Sequence, residues 1–398
     1  MKTALLSLSF ISLAITGGAA ETADTKPTVT GNTAFALDLY GKLRTQEGNL
    51  FLSPYSISTA LAMTCGGARG NTEKQMAAAL RFTVPQEQLH LGFAALQSRL
   101  NAVQQKSKVT LTTANAIWVQ QGYAVKPPFT ELCRTRYQSE VNTADFAGNK
   151  SGACRTINDW VAGKTQQRIK NILAADKLPD TVRMILVNAI YFKGDWASRF
   201  DKQRNYRAEF QVVEGRTPTV EFMAQLQNFP YAETPKLQLL EMPYTEKSLS
   251  MLVLLPSATS SLAELEASLT ASNLAVWVGA MRPMPVAVLF PKFEFAHGFD
   301  LRQALESLGM TDAFRPERAA LTGISTEPRF HLGPVLHEAF VKVNEEGTEA
   351  AAATTGHGIG CSASYQANFR ADRPFLFLIR DNSTGSILFL GRVVDPTQ

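Results

Sequence analysis

The feature that most constrains this sequence is a stretch near its C-terminus, residues 347–368, with almost no bulky apolar side chains. Only Ile359 and Tyr365 could contribute to a core there, and most other positions are Gly, Ala, Ser or Thr. Loops longer than about 12–15 residues are uncommon in compact domains unless they have a function. We therefore predict an exposed functional loop. Because alanine is the best helix former, a short surface helix over residues 348–355 is the alternative.

The rest of the chain has the pattern of one mixed domain. Hydrophobic residues make up 45% of the sequence, which is ordinary for a globular core. No linker, charge block or repeat marks a boundary, so we predict a single α+β domain over residues 32–398, preceded by a polar tail over 21–31. The periodicity predicts helices at 33–44, 56–65, 71–80, 86–104, 157–164 and 300–308, and strands at 109–119, 184–192, 237–242, 250–255, 286–290, 339–344, 375–380 and 386–394.

The first twenty residues have the layout of a removable leader. Lys2 supplies a positive start, residues 4–15 are apolar apart from serines, and Gly18, Ala19 and Ala20 are small. This layout is typical of a secretory signal peptide cleaved after Ala20. The alternative is a membrane anchor, but a dozen apolar residues fall short of the ~20 that span a bilayer. The sequence therefore predicts a secreted protein, extracellular or periplasmic, with no membrane partner.

Charge and motifs exclude several functional classes. The net charge of +4 is small and dispersed, so we expect no nucleic-acid partner. There is no nucleophile elbow, zinc-binding helix or phosphate loop, and we expect no catalytic residue, metal or cofactor. Cys361 with His357 could suggest a cysteine nucleophile, but no third group nearby would orient them. Four cysteines do not form a disulfide scaffold, and whether Cys133 pairs with Cys154 stays open.

Five segments, in this order, resemble motifs of the serpin family of protease inhibitors. They are NLFLSPYSIS at 49–58, GARGNTEKQM at 67–76, LVNAIYFKGDW at 186–196, HEAFVKVNEEGTEAAAATT at 337–355 and FRADRPFLFLI at 369–379. The resemblance runs from about residue 32 to the C-terminus. It implies three β-sheets, about nine helices and an exposed reactive loop. The loop length is similar to that of the intracellular-type, ovalbumin-like branch.

The resemblance also implies an activity and a partner. In this family a target serine protease attacks the loop as a substrate and forms a covalent acyl-enzyme. The cut loop then inserts as a new strand into the main sheet, and the protease is trapped. We therefore expect a monomeric inhibitor that is used once and is not an enzyme. A non-inhibitory serpin, acting as a binding or chaperone protein, is the alternative.

The resemblance assigns three groups of residues to the insertion step. The hinge, where insertion begins, comprises Glu345, Gly347, Thr348, Ala350, Ala351, Ala352 and Ala353. The shutter, a polar cluster beneath the sheet where the strands part, comprises Ser53, Ser56, Asn188 and His337. The breach, at the top of the sheet, comprises Trp196, Lys292 and Glu345, and a Glu345–Lys292 pair would close that end. The alternative for Glu345 is an unpaired surface side chain.

The loop chemistry suits insertion, because alternate residues of a strand point to opposite faces of a sheet. One face would carry the small uncharged residues Thr348, Ala350, Ala352, Thr354 and Gly356, and the other would carry Glu349, Ala351, Ala353, Thr355 and His357. The family spacing from Gly347 places the reactive bond between Cys361 and Ser362. The side chain of Cys361 fits elastase-like or some chymotrypsin-like proteases, and papain-like cysteine proteases are a further candidate class.

Overall fold

The computed structural model describes residues 24–212, 216–348 and 366–398. Within them the chain forms nine α-helices and fifteen β-strands. The helices α1 to α9 are Lys26–Leu43, Pro54–Cys65, Gly70–Ala79, Gln86–Lys106, Pro127–Tyr137, Lys150–Lys164, Leu262–Ser268, Ala271–Ala280 and Arg302–Ser307. The strands β1 to β15 are Leu50–Leu52, Val109–Gln120, Glu140–Ala144, Met184–Asp195, Tyr206–Glu209, Thr219–Glu233, Leu237–Pro243, Leu249–Pro256, Arg282–Pro291, Phe293–Asp300, Val335–Val343, Gly347–Thr348, Ala367–Arg370, Phe375–Asp381 and Ile387–Val393.

The six-stranded sheet contains the strands that flank the predicted loop. Its order is β10-β11-β12-β4-β2-β3. The central strand β4 is almost continuously apolar, as expected for a strand covered on both faces. In the lower part of the sheet β4 pairs directly with β11 in parallel, from Leu186 opposite Val335 to Tyr191 opposite Phe340. At the top of the sheet the two-residue strand β12 lies between them.

The second sheet has nine strands, in the order β1-β15-β14-β8-β7-β6-β9-β13, with β5 paired to β6. The three predicted sheets correspond to these two hydrogen-bonded sheets. Strand β6 is 15 residues long and pairs with β7 at one end and with β9 along Phe222–Tyr231. This long strand therefore joins the two smaller predicted sheets into one continuous sheet.

Helices cover both faces of the six-stranded sheet. Every residue of α2 is buried, and this helix packs against β4, β15 and the neighbouring helices. The side chain of Ser53 caps α2 by accepting from the backbone N–H of Ser56, and Pro54 occupies the first turn. On the opposite face α6 covers a separate apolar cluster that includes Trp118, Ile157 and Phe340. Any strand entering between β4 and β11 must therefore fit between α2 and α6.

Most predicted elements form within a few residues of their expected bounds, but two helices begin clearly earlier: α6 begins at Lys150, not at residue 157, and the first helix also begins early. The first helix begins at Lys26, not at residue 33, so residues 26–31 of the predicted polar tail are helical. The physical reason is burial, because Thr28 and Val29 pack against the body and Pro27 suits the first turn of a helix. Residues 1–23, which include the predicted leader, lie outside the described residues. Among the helices that the structure describes, none has the length and apolar character to cross a bilayer.

Candidate sheet-opening site

The hinge begins as a partly inserted strand. After β11 the chain turns and Gly347–Thr348 runs back between β4 and β11. Gly347 lies opposite Asp195, and Thr348 lies between Gly194 and Val343. A β-carbon at Gly347 would overlap the carbonyl oxygen of Gly194, so only glycine fits this close approach. The alternative to the predicted loop, a surface helix over residues 348–355, therefore does not begin at Thr348, which is in a strand.

Thr348 is fully buried and hydrogen-bonded. Its exposed fraction is 0%, and its hydroxyl group is 2.8 Å from the hydroxyl group of Tyr244. Burial raises the pKa of Tyr244, while the hydrogen bond to Thr348 opposes this rise. The Tyr244 ring stacks on Trp196 at 4.8 Å between centroids. The assignment of Thr348 to the inward face of the inserting strand agrees with this position.

The breach residues are in contact, and the predicted pair is present. The Nζ atom of Lys292 lies 3.0 Å from Glu345 Oε1 and 3.2 Å from Glu221 Oε1. Asn205 also donates a side-chain hydrogen bond to Glu345. Burial raises the pKa of the Glu345 carboxyl group, but hydrogen bonds from its own backbone, Asn205 and Lys292 outweigh this effect and lower it. With only 5% of its side chain exposed, Glu345 is not an unpaired surface residue.

Trp196 holds the turn between β11 and β12. Its indole N–H donates to the carbonyl oxygen of Asn344 (3.0 Å), and its backbone N–H donates to the carbonyl oxygen of Glu346 (2.9 Å). Lys202 contacts the Glu346 carboxylate at 2.9 Å. The hinge is therefore attached at several points to the top of the six-stranded sheet.

The four predicted shutter residues form one buried hydrogen-bonded cluster. The Ser53 backbone N–H donates to Nε2 of His337 (3.0 Å), and the Nδ1 atom of His337 lies 2.5 Å from Oδ1 of Asn188. Asn188 donates to Ser56 Oγ (2.5 Å) and to Asn115. Because Asn188 is on β4 and His337 is on β11, this bond crosses the line along which the strands would separate.

The surroundings of His337 fix its protonation state. Nε2 accepts a hydrogen bond from a backbone N–H, so the proton lies on Nδ1 and the ring is neutral. Burial, with a smaller effect from the positive potential of His297, lowers the pKa of His337 to about 3, although the contact with Asn188 opposes both. This histidine therefore acts as a structural link between strands and has no free acceptor for general-base catalysis.

Three contact residues were missed from the sequence. Asn115 lies on β2 opposite Asn188, and period-two alternation along that strand could have indicated it. Tyr244 follows the end of β7, and Asn205 lies between Phe200 and β5. No local pattern distinguishes these two residues, because their role depends on which distant segment packs beside them.

Several other predictions fall partly or wholly outside the described residues. Ala350, Ala351, Ala352 and Ala353 of the hinge and the Cys361–Ser362 bond are in this group.

Cys65, Cys133 and Cys154 are described as free thiols, so Cys133 and Cys154 are not joined by a disulfide. Within the described ranges no group of three or more His, Cys, Asp or Glu could hold a metal ion.

The fold and the partly inserted hinge define a protein built around a strand-insertion site in its main sheet. The family model described as Serpin (serine protease inhibitor) matches residues 30–396, and the chain belongs to the serpin family. It is 37% identical to the leukocyte elastase inhibitor of Homo sapiens over 375 residues, covering 92% of this chain and 98% of that protein.

Solved structures give the same result for the fold. A crystal structure of tengpin, a thermophilic serpin in its native state, has a TM-score of 0.85 at 29% identity and covers 92% of this chain and 94% of that one. Human thyroxine-binding globulin in complex with its ligand also has a TM-score of 0.85 at 29% identity, covering 94% of this chain and 100% of that one. The predicted serpin fold and the similarity to the intracellular-type branch are confirmed.

The comparisons also decide the broad activity. Serpin family members are protease inhibitors, and the relatives include named elastase inhibitors. The protein is therefore a serpin-type protease inhibitor and not an enzyme, as predicted.

The predicted secretion is wrong on these comparisons. The human leukocyte elastase inhibitor is matched over 98% of its own length, as are the Xenopus tropicalis and Sus scrofa proteins of the same name. Only a few residues of each relative remain unmatched, which is too few for a secretory leader. The relatives thus belong to a type of serpin without a signal peptide, and the assignment of this chain as extracellular or periplasmic is withdrawn.

Proposed function

We propose that this protein inhibits serine endopeptidases as a suicide substrate. The protease cleaves the loop, an ester joins its catalytic serine to the new carboxyl end, and the loop inserts between β4 and β11 before water hydrolyses that ester. The observation that carries the proposal is the buried start of β12. Gly347 and Thr348 already occupy the top of the gap, while β4 and β11 pair directly below them.

The residues that would follow Thr348 suit this path. An antiparallel strand continuing the register of β12 would bring Ala351 between Tyr191 and Phe340. The rings of Tyr191 and Phe340 are in contact, with centroids 6.3 Å apart, beneath α6. Insertion must part these rings, and a small side chain such as alanine minimises the space that is needed. Thr354 would reach the level of His337 and Asn188, where a hydroxyl group can join the shutter hydrogen bonds.

The proposed energy source is the new backbone pairing. About a dozen additional hydrogen bonds at ~0.5–1.5 kcal/mol each give a gross gain on the order of 10 kcal/mol. This gain is comparable to the stability of an ordinary domain, ~5–15 kcal/mol. The structure with β4 and β11 paired would then be held by a kinetic barrier, to which the shutter and the breach contribute.

The proposed reactive bond joins Cys361 to Ser362. The Cys361 side chain is small and fairly apolar, and Ile359 and Gly360 precede it, so elastase-like and some chymotrypsin-like pockets would accept it. No Lys or Arg occurs between Gly347 and Phe369. A trypsin-like pocket would leave its buried carboxylate unpaired on this loop, which is a costly mismatch. Papain-like cysteine proteases form a second target class, because they also pass through an acyl-enzyme.

A non-inhibitory binding serpin is the competing function. The observation that favours this binding function is the similarity to thyroxine-binding globulin, whose structure contains thyroxine. The two functions differ in the fate of the cleaved loop. Only an inhibitor must insert the loop faster than its acyl-enzyme hydrolyses.

The test is to mix the purified protein with a panel of elastase-like, chymotrypsin-like, trypsin-like and papain-like proteases. A trapped protease gives a covalent complex that survives boiling in detergent, and mass spectrometry of the fragment released from the complex identifies the bond. We expect complexes with elastase-like enzymes and a new N-terminus at Ser362. Loop cleavage with full protease activity remaining across the panel would favour the binding function instead.

A further inference from the structure

The outer face of the six-stranded sheet, which α6 covers further down, carries a row of polar and charged side chains at the level just below Thr348. Lys342 on β11 lies opposite Glu294 on β10, and their charged atoms are 2.6 Å apart. Lys193 on β4 lies opposite Thr110 on β2. Both lysines are half-buried, and Lys193 has no ion pair among the described residues. The row therefore has Thr110 and Lys193 on one side of the boundary between β4 and β11, and Lys342 and Glu294 on the other side.

The register of β12 determines which residue of an inserted strand would lie between the two lysines. Thr348 lies opposite Val343 on β11 and opposite Gly194 on β4. In an antiparallel ladder the next residue along β12 faces the previous residue on each neighbour. Residue 349 would therefore lie between Lys342 and Lys193, and the sequence places Glu349 there.

The faces of the sheet agree with this register. Val343 and Thr348 are buried on the inward side, where Tyr244 contacts Thr348. Successive side chains of a strand alternate between faces, so Lys342, Lys193 and residue 349 share the outward face. Oppositely charged residues directly across neighbouring strands attract one another, whereas like charges repel.

We propose that Lys193 and Lys342 form a carboxylate-binding site that receives Glu349 during loop insertion. The filled row would alternate in sign, with Lys193, Glu349, Lys342 and Glu294 in order across the sheet. This inference rests on the proposed inhibitory function. It assigns the two lysines as positioning residues for the first inserting residue below Thr348, and it needs no bond-making step of its own.

The site would act early, because residue 349 directly follows Thr348, which is on β12. Attraction between the Glu349 carboxylate and the two ammonium groups would lower the barrier to the first step. Since the lysines are half-exposed, salt should weaken the effect. Opposite-charge cross-strand pairs of this kind correspond to about a twofold to tenfold change in an insertion rate for the two contacts together.

The test is a double-mutant cycle on the rate of loop insertion. Rapid mixing with an elastase-like protease would report insertion through the fluorescence of Trp196, which contacts the hinge. We expect Glu349→Gln to slow insertion about twofold to tenfold at low salt, and Lys193→Gln with Lys342→Gln to do the same. The variant with all three changes should insert its loop no more slowly than the Glu349 variant or the double-lysine variant. Exchange of all the charges in the row, with Glu349→Lys, Lys193→Glu, Lys342→Glu and Glu294→Lys, should restore most of the rate.

Two controls separate this site from other effects. Glu294→Gln removes the existing partner of Lys342 without touching Lys193. Lys164→Gln, on α6, removes an unrelated ion pair with Glu140 on β3. Effects of Glu349 and of the lysines that simply add together would overturn the proposal, as would a charge exchange that fails to restore the rate. If the unaltered protein is cleaved without any insertion signal, the proposed inhibitory function itself fails.

Discussion

Replacing Thr348 by arginine tests the insertion face directly. Thr348 has no exposed surface, and its hydroxyl group pairs with Tyr244. Its neighbours across the ladder are Val343 and the backbone of Gly194. Arginine at this position would bring a guanidinium group into an apolar and aromatic environment.

The cost of that substitution is large compared with the barrier differences that decide trapping. Burying an unpaired charge costs several kcal/mol, and the Tyr244 hydroxyl group loses its partner as well. If only about 2 kcal/mol of this cost is present in the transition state for insertion, insertion slows about 30-fold. Hydrolysis of the acyl-enzyme is unaffected, so most encounters would end in cleavage. In the uncleaved protein the arginine would displace the two-residue strand β12 from between β4 and β11, and the fold below it should persist because β4 and β11 pair there without the loop.

The assay is a titration of protease activity with Thr348→Arg, Thr348→Ser and the unaltered protein. The serine variant keeps a small side chain and a hydroxyl group for Tyr244, and is the matched control. We expect the arginine variant to consume about tenfold or more inhibitor per protease inactivated, with the uncleaved protein melting within a few degrees of the original. Unchanged stoichiometry in the arginine variant would show that trapping does not require residue 348 to be buried between β4 and β11.

Three further predictions concern pH, the breach and the target. Burial lowers the pKa of His337 to about 3, below its ordinary value of 6.5, so its contribution to stability is complete above pH 6.5 and is lost as the pH falls toward 3. The loss in the free energy of unfolding amounts to about 2 kcal/mol by pH 5. Urea unfolding of His337→Gln should therefore show a flatter pH dependence between pH 6.5 and 5 than that of the unaltered protein, and equal slopes would refute this prediction. Lys292→Met leaves the Glu345 carboxylate with fewer partners and should lower the free energy of unfolding by about 1–2 kcal/mol. Denaturant unfolding measures this loss, with Lys164→Met as the control, and equal losses in the two variants would argue against a stabilising Glu345–Lys292 pair. Trypsin should cleave the loop poorly and form little complex, and efficient trapping of trypsin would contradict the Cys361–Ser362 assignment.

The sequence predicted the shutter and the Glu345–Lys292 pair because these residues lie in or beside recognisable motifs. Asn188 falls on a predicted strand, but its grouping with His337 was implied by the resemblance to the serpin family and not by periodicity, because β4 is buried on both faces. The small residues after Gly347 are visible in the sequence as a set.

Other features could not be predicted, because they depend on packing between distant segments. Tyr244 and Thr348 are 104 positions apart and meet only when the two sheets pack together. Helix α8 was missed because Ala271–Ala280 has no charged residue and no buried face, so it lacks the amphipathic period of a surface helix. The early start of α1 was missed because its polar residues, such as Thr28 and Asn32, are buried by contacts with other segments. Asn32, for example, donates to the carbonyl oxygen of Ile387.

The central claim is that the cleaved loop becomes a strand between β4 and β11, and thermal unfolding before and after loop cleavage tests it most directly. The loop would be cut near Cys361 by a protease that is not trapped, with the cleavage site verified by mass spectrometry. Insertion adds backbone hydrogen bonds along both neighbouring strands, so the midpoint of unfolding should rise by tens of degrees. A midpoint that stays the same or falls after verified cleavage would contradict loop insertion and the inhibitory mechanism proposed from it.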